Sequence, residues 1–129
     1  MVIYLDSSVA LAHLLAEDRM PPDAVWRQPL VASRLLEYEV WNRISARGLA
    51  RSHGQETRAL IGRLAFIELD PLVLARALEP FPTPVRTPDA LHLASIEFLR
   101  SRRQTVELLS YDERLTAAAR ALRIPLYEA

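Results

Sequence analysis

Residues 2–8 read VIYLDSS, four apolar or aromatic residues followed by an aspartate and two serines. Apolar residues without polar alternation predict a strand that is buried on both faces, as in a parallel sheet covered by helices. Asp6 falls where this strand ends. Ser7 or Ser8 is expected to cap the helix that follows, because a short side-chain oxygen accepts hydrogen bonds from the free N–H groups of a first turn. The segment therefore predicts a strand-to-helix joint with a carboxylate at its mouth.

The rest of the chain repeats this order of strand and helix. Further strands are predicted at residues 30–32, 66–69, 106–110 and 124–126. Helices are predicted at residues 8–16, 34–47, 52–64, 71–78, 87–99 and 112–122, with Thr87 as a cap and Pro88 at the first helical position. In the second helix, Leu36, Val40 and Ile44 share one face and are expected to be buried. This alternation indicates an α/β fold with a mostly parallel sheet and right-handed crossovers.

Length and composition narrow the class of protein. With 129 residues, the chain is expected to form a single domain, 1–129, with one sizeable core. It has no run of eighteen apolar residues that would predict a membrane span, and Met1 leads into a strand rather than a secretory leader. Cysteine is absent, which excludes disulfides and thiolate metal sites. These features favour a cytoplasmic protein without a membrane partner.

The charges of the chain balance, and all sixteen basic residues are arginine. The absence of lysine excludes chemistry that needs a lysine amine, such as a Schiff base or a phosphate-binding loop of the lysine type. It also argues against two families that begin with a strand followed by an aspartate. Phosphatases of the haloacid dehalogenase type need a lysine and a second aspartate at the position of Ser8, and receiver domains need a lysine beside their acidic pocket.

Carboxylates recur at the predicted strand–helix joints, at Asp6, Glu39, Asp89 and Asp112. Parallel strands end at one edge of a sheet, so these side chains could reach one rim. Carboxylates gathered there would repel one another unless a cation compensates, and oxygen ligands without histidine or cysteine suit Mg²⁺ or Mn²⁺. Each acid also has a structural interpretation. Asp112 could be an N-cap, Asp89 could offset a helix dipole, and Glu39 could pair with Arg43. Spacing alone leaves the two interpretations about even and does not separate Glu37 from Glu39.

The chain resembles a PIN domain, and specifically the VapC-type toxins of toxin–antitoxin pairs. The matching segments are residues 3–8, Ser33 and Leu35 with Glu39 four residues on, the run PDALHLA at 88–94, and Ser110-Tyr111-Asp112 with Leu115. They occur in the order of the family and span nearly the whole chain, and the DALHLA run is the most specific. The resemblance implies a three-layer α/β/α fold around a mostly parallel central sheet. The proline-rich connector at 79–87 departs from the family pattern, where a helix is often expected.

The resemblance also implies a function and a set of site residues. It makes Asp6, Glu39, Asp89 and Asp112 the catalytic and metal-binding acids, with Asp6 and Asp89 as direct ligands and with Ser7 and Ser110 in supporting positions. The implied activity is hydrolysis of RNA phosphodiesters with Mg²⁺, or Mn²⁺, as cofactor. The implied partners are an RNA substrate, an antitoxin protein that covers the acidic rim, and a second copy in a homodimer. The alternative is a catalytically silent PIN-like binding module. His92 is expected to be structural rather than a general base.

Overall fold

The structure, a computed structural model, describes residues 1–128 and contains four strands and six α-helices over that range. The strands are β1 (Val2–Leu5), β2 (Leu30–Ser33), β3 (Ala65–Ile67) and β4 (Val106–Leu109). The helices are α1 (Ser7–Leu14), α2 (Arg34–Ala46), α3 (Ala50–Ile61), α4 (Pro71–Ala77), α5 (Thr87–Ser101) and α6 (Glu113–Ala121), and Asp23–Arg27 forms a 3₁₀ helix. The final strand predicted at 124–126 is only a single bridge between Leu126 and Leu108.

The four strands form one sheet in the order β3-β2-β1-β4, and every pairing is parallel, as predicted. From β1 the chain moves to β2 and β3 on one side, and it then returns to β4 on the other side. The switch point of the topology therefore lies between the carboxyl ends of β1 and β4, where open α/β sheets bind their ligands. Asp6 follows β1 at this point, and its backbone N–H donates to the carbonyl oxygen of Leu109 at 3.0 Å.

Helices cover both faces of the sheet. Ile3 and Leu5 face one side and Tyr4 the other, because successive side chains of a strand alternate, and all three are fully buried. The side chains of α1, α2 and α3 pack around Ile3 and Leu5, whereas those of α5 and α6 pack around Tyr4. The three-layer α/β/α prediction is therefore confirmed.

Local predictions were accurate for helix interiors and less so for helix ends. The stripe of Leu36, Val40 and Ile44 is fully buried. The N-cap of α1 is Asp6, not Ser7 or Ser8, because the helix already begins at Ser7 and the Asp6 carboxylate accepts from the Ser8 N–H. Arg86 rather than Thr87 caps α5, and α3 runs from Ala50 to Ile61 rather than from 52 to 64.

Among residues 1–128, no helix is both long enough and apolar enough to cross a bilayer.

Candidate metal and catalytic site

A cleft of about 820 Å³ opens at the carboxyl edge of the sheet, and the four predicted acids all line it. Asp6 follows β1, Asp112 follows β4, Asp89 lies in the first turn of α5, and Glu39 lies within α2. Ser7 lines the same cleft. The fold thus brings together carboxylates that are widely separated in the sequence, at the switch point of the sheet.

Asp6 is buried, with 4% of its surface exposed, and it is held by the hydroxyls of two serines. Its Oδ2 atom accepts from Ser8 Oγ at 2.6 Å and from Ser110 Oγ at 2.8 Å, and the Ser8 backbone N–H lies at 3.4 Å. The Oδ1 atom accepts no hydrogen bond from any residue in the range 1–128 and lies 3.8 Å from His92 Nε2. Ser110, which was predicted in a supporting position, contacts Asp6 directly. Ser7, the other predicted supporting residue, lines the cleft. The second hydroxyl that contacts Asp6 belongs to Ser8 instead.

Asp89 and Asp112 each use one carboxylate oxygen to hold the start of a helix. Asp89 Oδ2 accepts from the backbone N–H of Arg86 at 3.2 Å, and Asp112 Oδ1 accepts from the N–H groups of Arg114 and Leu115 at 2.9 and 3.2 Å. Within the described part of the chain, the second oxygen of each carboxylate accepts no hydrogen bond. The capping and ligand interpretations are therefore compatible, because one oxygen fixes the side chain and the other stays available.

Glu39 lines the cleft and is hydrogen-bonded to a histidine that lies 53 positions further along the chain. Its Oε1 atom lies 2.7 Å from Nε2 of His92, and His92 Nδ1 lies 2.8 Å from the hydroxyl of Tyr4. Glu37 instead forms an ion pair with Arg34 at 3.0 Å. The structure thus distinguishes two glutamates that periodicity left equivalent, and Glu39 is the one in the cleft.

His92, predicted to be structural rather than a general base, also lies in the lining of the cleft. The side chain is buried, yet it contacts a carboxylate of the cleft directly. Its position three residues after Asp89 on a helix could have revealed this role, because residues three apart lie on the same helix face.

Burial and nearby charges act in opposite directions on His92. Burial by itself lowers the pKa of this imidazole, but the hydrogen bond to Glu39 and the charges of Asp6, Glu39 and Asp89 outweigh it, and the net result is a raised pKa. Burial, reinforced by the charge of Asp6, raises the pKa of Tyr4 far above its ordinary value. The Tyr4 hydroxyl therefore stays un-ionised and remains a hydrogen-bonding partner for His92.

The cleft as a whole is acidic. Glu17 and Asp18 join the four predicted acids in its lining, and the cationic groups in the lining are those of Arg19 and Arg43. The Arg19 guanidinium lies over the ring of Tyr111, 4.2 Å from its centre, in a cation–π contact. A cleft with this excess of carboxylates attracts cations, and it repels an anion that binds without a compensating cation.

The donor set fits a hard divalent cation. Asp6, Glu39, Asp89 and Asp112 each commit one oxygen to a hydrogen bond and retain another, and carboxylate oxygens are the ligands that Mg²⁺ and Mn²⁺ prefer. Residues 1–128 contain no group of three or more acidic or histidine side chains already drawn together as a metal cage. Like charges repel, so these carboxylates would have to move closer together to hold one ion between them.

The family match and the most similar proteins point to the same protein family. Residues 3–121 match the PIN domain family. Ribonuclease VapC46 of Mycobacterium tuberculosis (strain ATCC 25618 / H37Rv) is 33% identical over 124 residues, which cover 93% of this chain and 92% of that protein.

Two solved structures share the fold. A toxin–antitoxin complex from Klebsiella pneumoniae matches with a TM-score of 0.64 and 17% identity, over 92% of this chain and 93% of that chain. The crystal structure of VapBC2 from Rickettsia felis, bound to a DNA fragment from their promoter, matches with a TM-score of 0.71 and 12% identity over 98% of each chain. The family match and the VapC relative both span nearly the whole sequence, and this chain therefore belongs to the PIN-domain family, among its VapC-type members.

Proposed function

We propose that this protein is a divalent-metal-dependent ribonuclease that acts in the cytoplasm as the toxin of a toxin–antitoxin pair. The observation that carries the proposal is the convergence of Asp6, Glu39, Asp89 and Asp112 on one cleft, each with one oxygen left over from hydrogen bonding. The kinship with a protein named as a VapC ribonuclease supplies the substrate class.

In this proposal Asp6 and Asp89 bind Mg²⁺, or Mn²⁺, directly, and Glu39 and Asp112 complete the site or act through water. Asp6 and Asp89 are the two most buried of the acids, so water competes least for their oxygens. A bound ion of this kind lowers the pKa of a coordinated water and stabilises the charge that develops on a phosphodiester.

The protein itself contributes fixed geometry and local electrostatics. The Ser8 and Ser110 hydroxyls both donate to Oδ2 of Asp6, and Ser7 is proposed as a further supporting residue. The first turns of α1, α5 and α6 all begin at the cleft, as shown by the positions of Ser7, Asp89 and Asp112. Helix N-termini carry partial positive charge, and they favour carboxylates and phosphate oxygens at these positions.

An RNA backbone must approach this acidic cleft against the repulsion of its carboxylates. Arg19 and Arg43 lie in the lining and supply positive charge at the positions where the strand would enter. We assign them to phosphate contacts, which fix the strand without reading its sequence.

An antitoxin partner is supported by the structural neighbours, one a toxin–antitoxin complex and the other VapBC2. A homodimer is proposed as well. Exposed apolar side chains available for contacts with either protein include Leu72 in α4, Leu78 directly after it, and Tyr38 in α2. Exposed apolar side chains are common in protein interfaces, and α2 and α4 offer two separate surfaces because they lie on opposite faces of the sheet.

The test is cleavage of total RNA by the purified protein with Mg²⁺ or Mn²⁺, followed by mapping of the new ends. We expect discrete cuts with the wild type and none with Asp6→Asn or Asp89→Asn. Asp70→Asn is the matched control, because Asp70 caps α4 through one bond to the Val73 N–H and is not among the residues of the cleft lining.

Full activity of both cleft variants would contradict the assignment of the acids. Wild-type protein that binds RNA but leaves it intact with either ion would instead identify a catalytically silent binding module.

A further inference from the structure

Tyr4, His92 and Glu39 form a hydrogen-bonded chain that joins three elements of the fold. Tyr4 lies in the central strand β1, His92 in α5 on one side of the sheet, and Glu39 in α2 on the other. The two contacts measure 2.8 Å and 2.7 Å, and both Tyr4 and His92 are buried. The chain thus ends at a carboxylate of the proposed catalytic cleft.

The hydrogen-bonding capacity of the imidazole is fully used in this arrangement. A carboxylate only accepts, so Nε2 of His92 carries the proton and donates to Glu39, while Nδ1 is occupied by the hydroxyl of Tyr4. Neither ring nitrogen is therefore available to bind a metal ion. The ring lines the cleft but is 98% buried, and its Nε2–H is directed at Glu39 rather than at the open space of the cleft. These contacts argue against His92 as a ligand or a general base.

Glu39, by contrast, needs a partner to hold it in place. It is the one glutamate among the four acids, and its longer side chain is 27% exposed. Fixing such a side chain in one rotamer costs conformational entropy, which a hydrogen bond to a partner can offset. The other three acids are anchored by hydrogen bonds from backbone N–H groups or serine hydroxyls. The hydrogen bond from His92 is the equivalent anchor for Glu39.

We propose that His92 is a positioning residue that orients Glu39 for the divalent ion, with the Tyr4 hydroxyl fixing the imidazole ring. The inference rests on the proposed metal-dependent function and extends it to two residues beyond the acids. Carboxylates that ligate metals are themselves hydrogen-bonded, and removal of such outer partners weakens metal affinity by about 10- to 100-fold.

The experiment measures Mn²⁺ affinity by isothermal titration calorimetry, together with thermal stability in EDTA. We expect His92→Leu to weaken Mn²⁺ binding by about 10- to 100-fold. His92→Gln should recover most of that loss, because its amide N–H₂ can donate to Glu39 from a similar position. Tyr4→Phe keeps the packing but releases Nδ1, and it should weaken binding by a smaller factor.

Ile96→Val is the control for a general weakening of α5. Ile96 is fully buried one turn beyond His92 and packs in the same core as Tyr4, but it contacts no acid of the cleft. It should lower thermal stability and leave Mn²⁺ affinity unchanged.

The inference is overturned if His92→Leu binds Mn²⁺ as tightly as the wild type, or if His92→Gln is as weak as His92→Leu. Wild-type protein that cleaves RNA alongside either result leaves the proposed function intact. Wild-type protein that neither binds Mn²⁺ nor cleaves RNA removes the proposed function itself, so the two failures are separable.

Discussion

Ser110 connects the two aspartates that follow the neighbouring strands β1 and β4, and its replacement by alanine has a predictable cost. Its Oγ atom donates to Asp6 Oδ2 at 2.8 Å and accepts from the Asp112 N–H at 3.0 Å. A hydrogen bond to a charged group contributes about 1.5–3 kcal/mol, whereas the exposed N–H of Asp112 can bond to water instead. We therefore expect Ser110→Ala to lower the free energy of unfolding by about 2 kcal/mol.

Thermal unfolding in EDTA, followed by circular dichroism, measures this loss without a contribution from bound metal. The entropy of unfolding is about 2.1 cal/mol/K per residue, so for 129 residues a loss of about 2 kcal/mol lowers Tm by about 7 °C. Ser110→Thr keeps the hydroxyl and should retain most of the stability. Ser101→Ala is the control, because its exposed hydroxyl donates only to the carbonyl oxygen of Phe98.

A Tm for Ser110→Ala that equals that of Ser101→Ala would refute the reasoning. It would mean that the hydroxyl is not a significant anchor of Asp6, and that Ser8 alone holds the carboxylate.

Three further predictions concern the core, the RNA and the surface charges. Leu36→Ala should cost about 2–5 kcal/mol in urea unfolding, because this fully buried side chain would leave a cavity under α2; a loss below 1 kcal/mol would contradict the packing. Arg43→Gln, made in the inactive Asp6→Asn background, should weaken RNA binding. It should also reduce the slope of the logarithm of the RNA-binding constant against the logarithm of the salt concentration by about 0.7. Arg51→Gln, outside the cleft, should leave this slope unchanged. The Arg34 guanidinium lowers the pKa of Glu68, so this ion pair stabilises the protein above the ordinary glutamate pKa and is lost as the pH falls through the lowered value. The Tm difference between wild type and Glu68→Gln should therefore be present at neutral pH and vanish in acid; a difference independent of pH would argue against the pair.

The regular parts of the fold were predictable because local pattern and burial agree there. An uninterrupted apolar run gave β1, and the four-residue spacing of Leu36, Val40 and Ile44 gave the buried face of α2. Helix starts were harder to predict. Asp6, Ser7 and Ser8 are all good N-caps, and the local sequence does not show which of them the first helical residue follows.

The meeting of the four predicted acids at one cleft was predictable from the sequence, whereas their hydrogen-bonding partners were not. Parallel topology alone places the residues after β1 and β4 at one edge, which is why Asp6 and Asp112 could be expected there. The choice between Glu37 and Glu39 depends on how α2 is rotated against α5, and no local periodicity encodes that. Only the tertiary structure brings His92 within 2.7 Å of Glu39 and lets Arg34 take up Glu37.

Anomalous diffraction from crystals grown with Mn²⁺ tests the convergence of the acids on one ion most directly. We expect an anomalous peak in the cleft, at about 2.1 Å from carboxylate oxygens of both Asp6 and Asp89, with Glu39 and Asp112 in direct contact or bridged to the ion by water. A peak outside the cleft, or well-ordered crystals at saturating Mn²⁺ with no peak between Asp6 and Asp89, would contradict it.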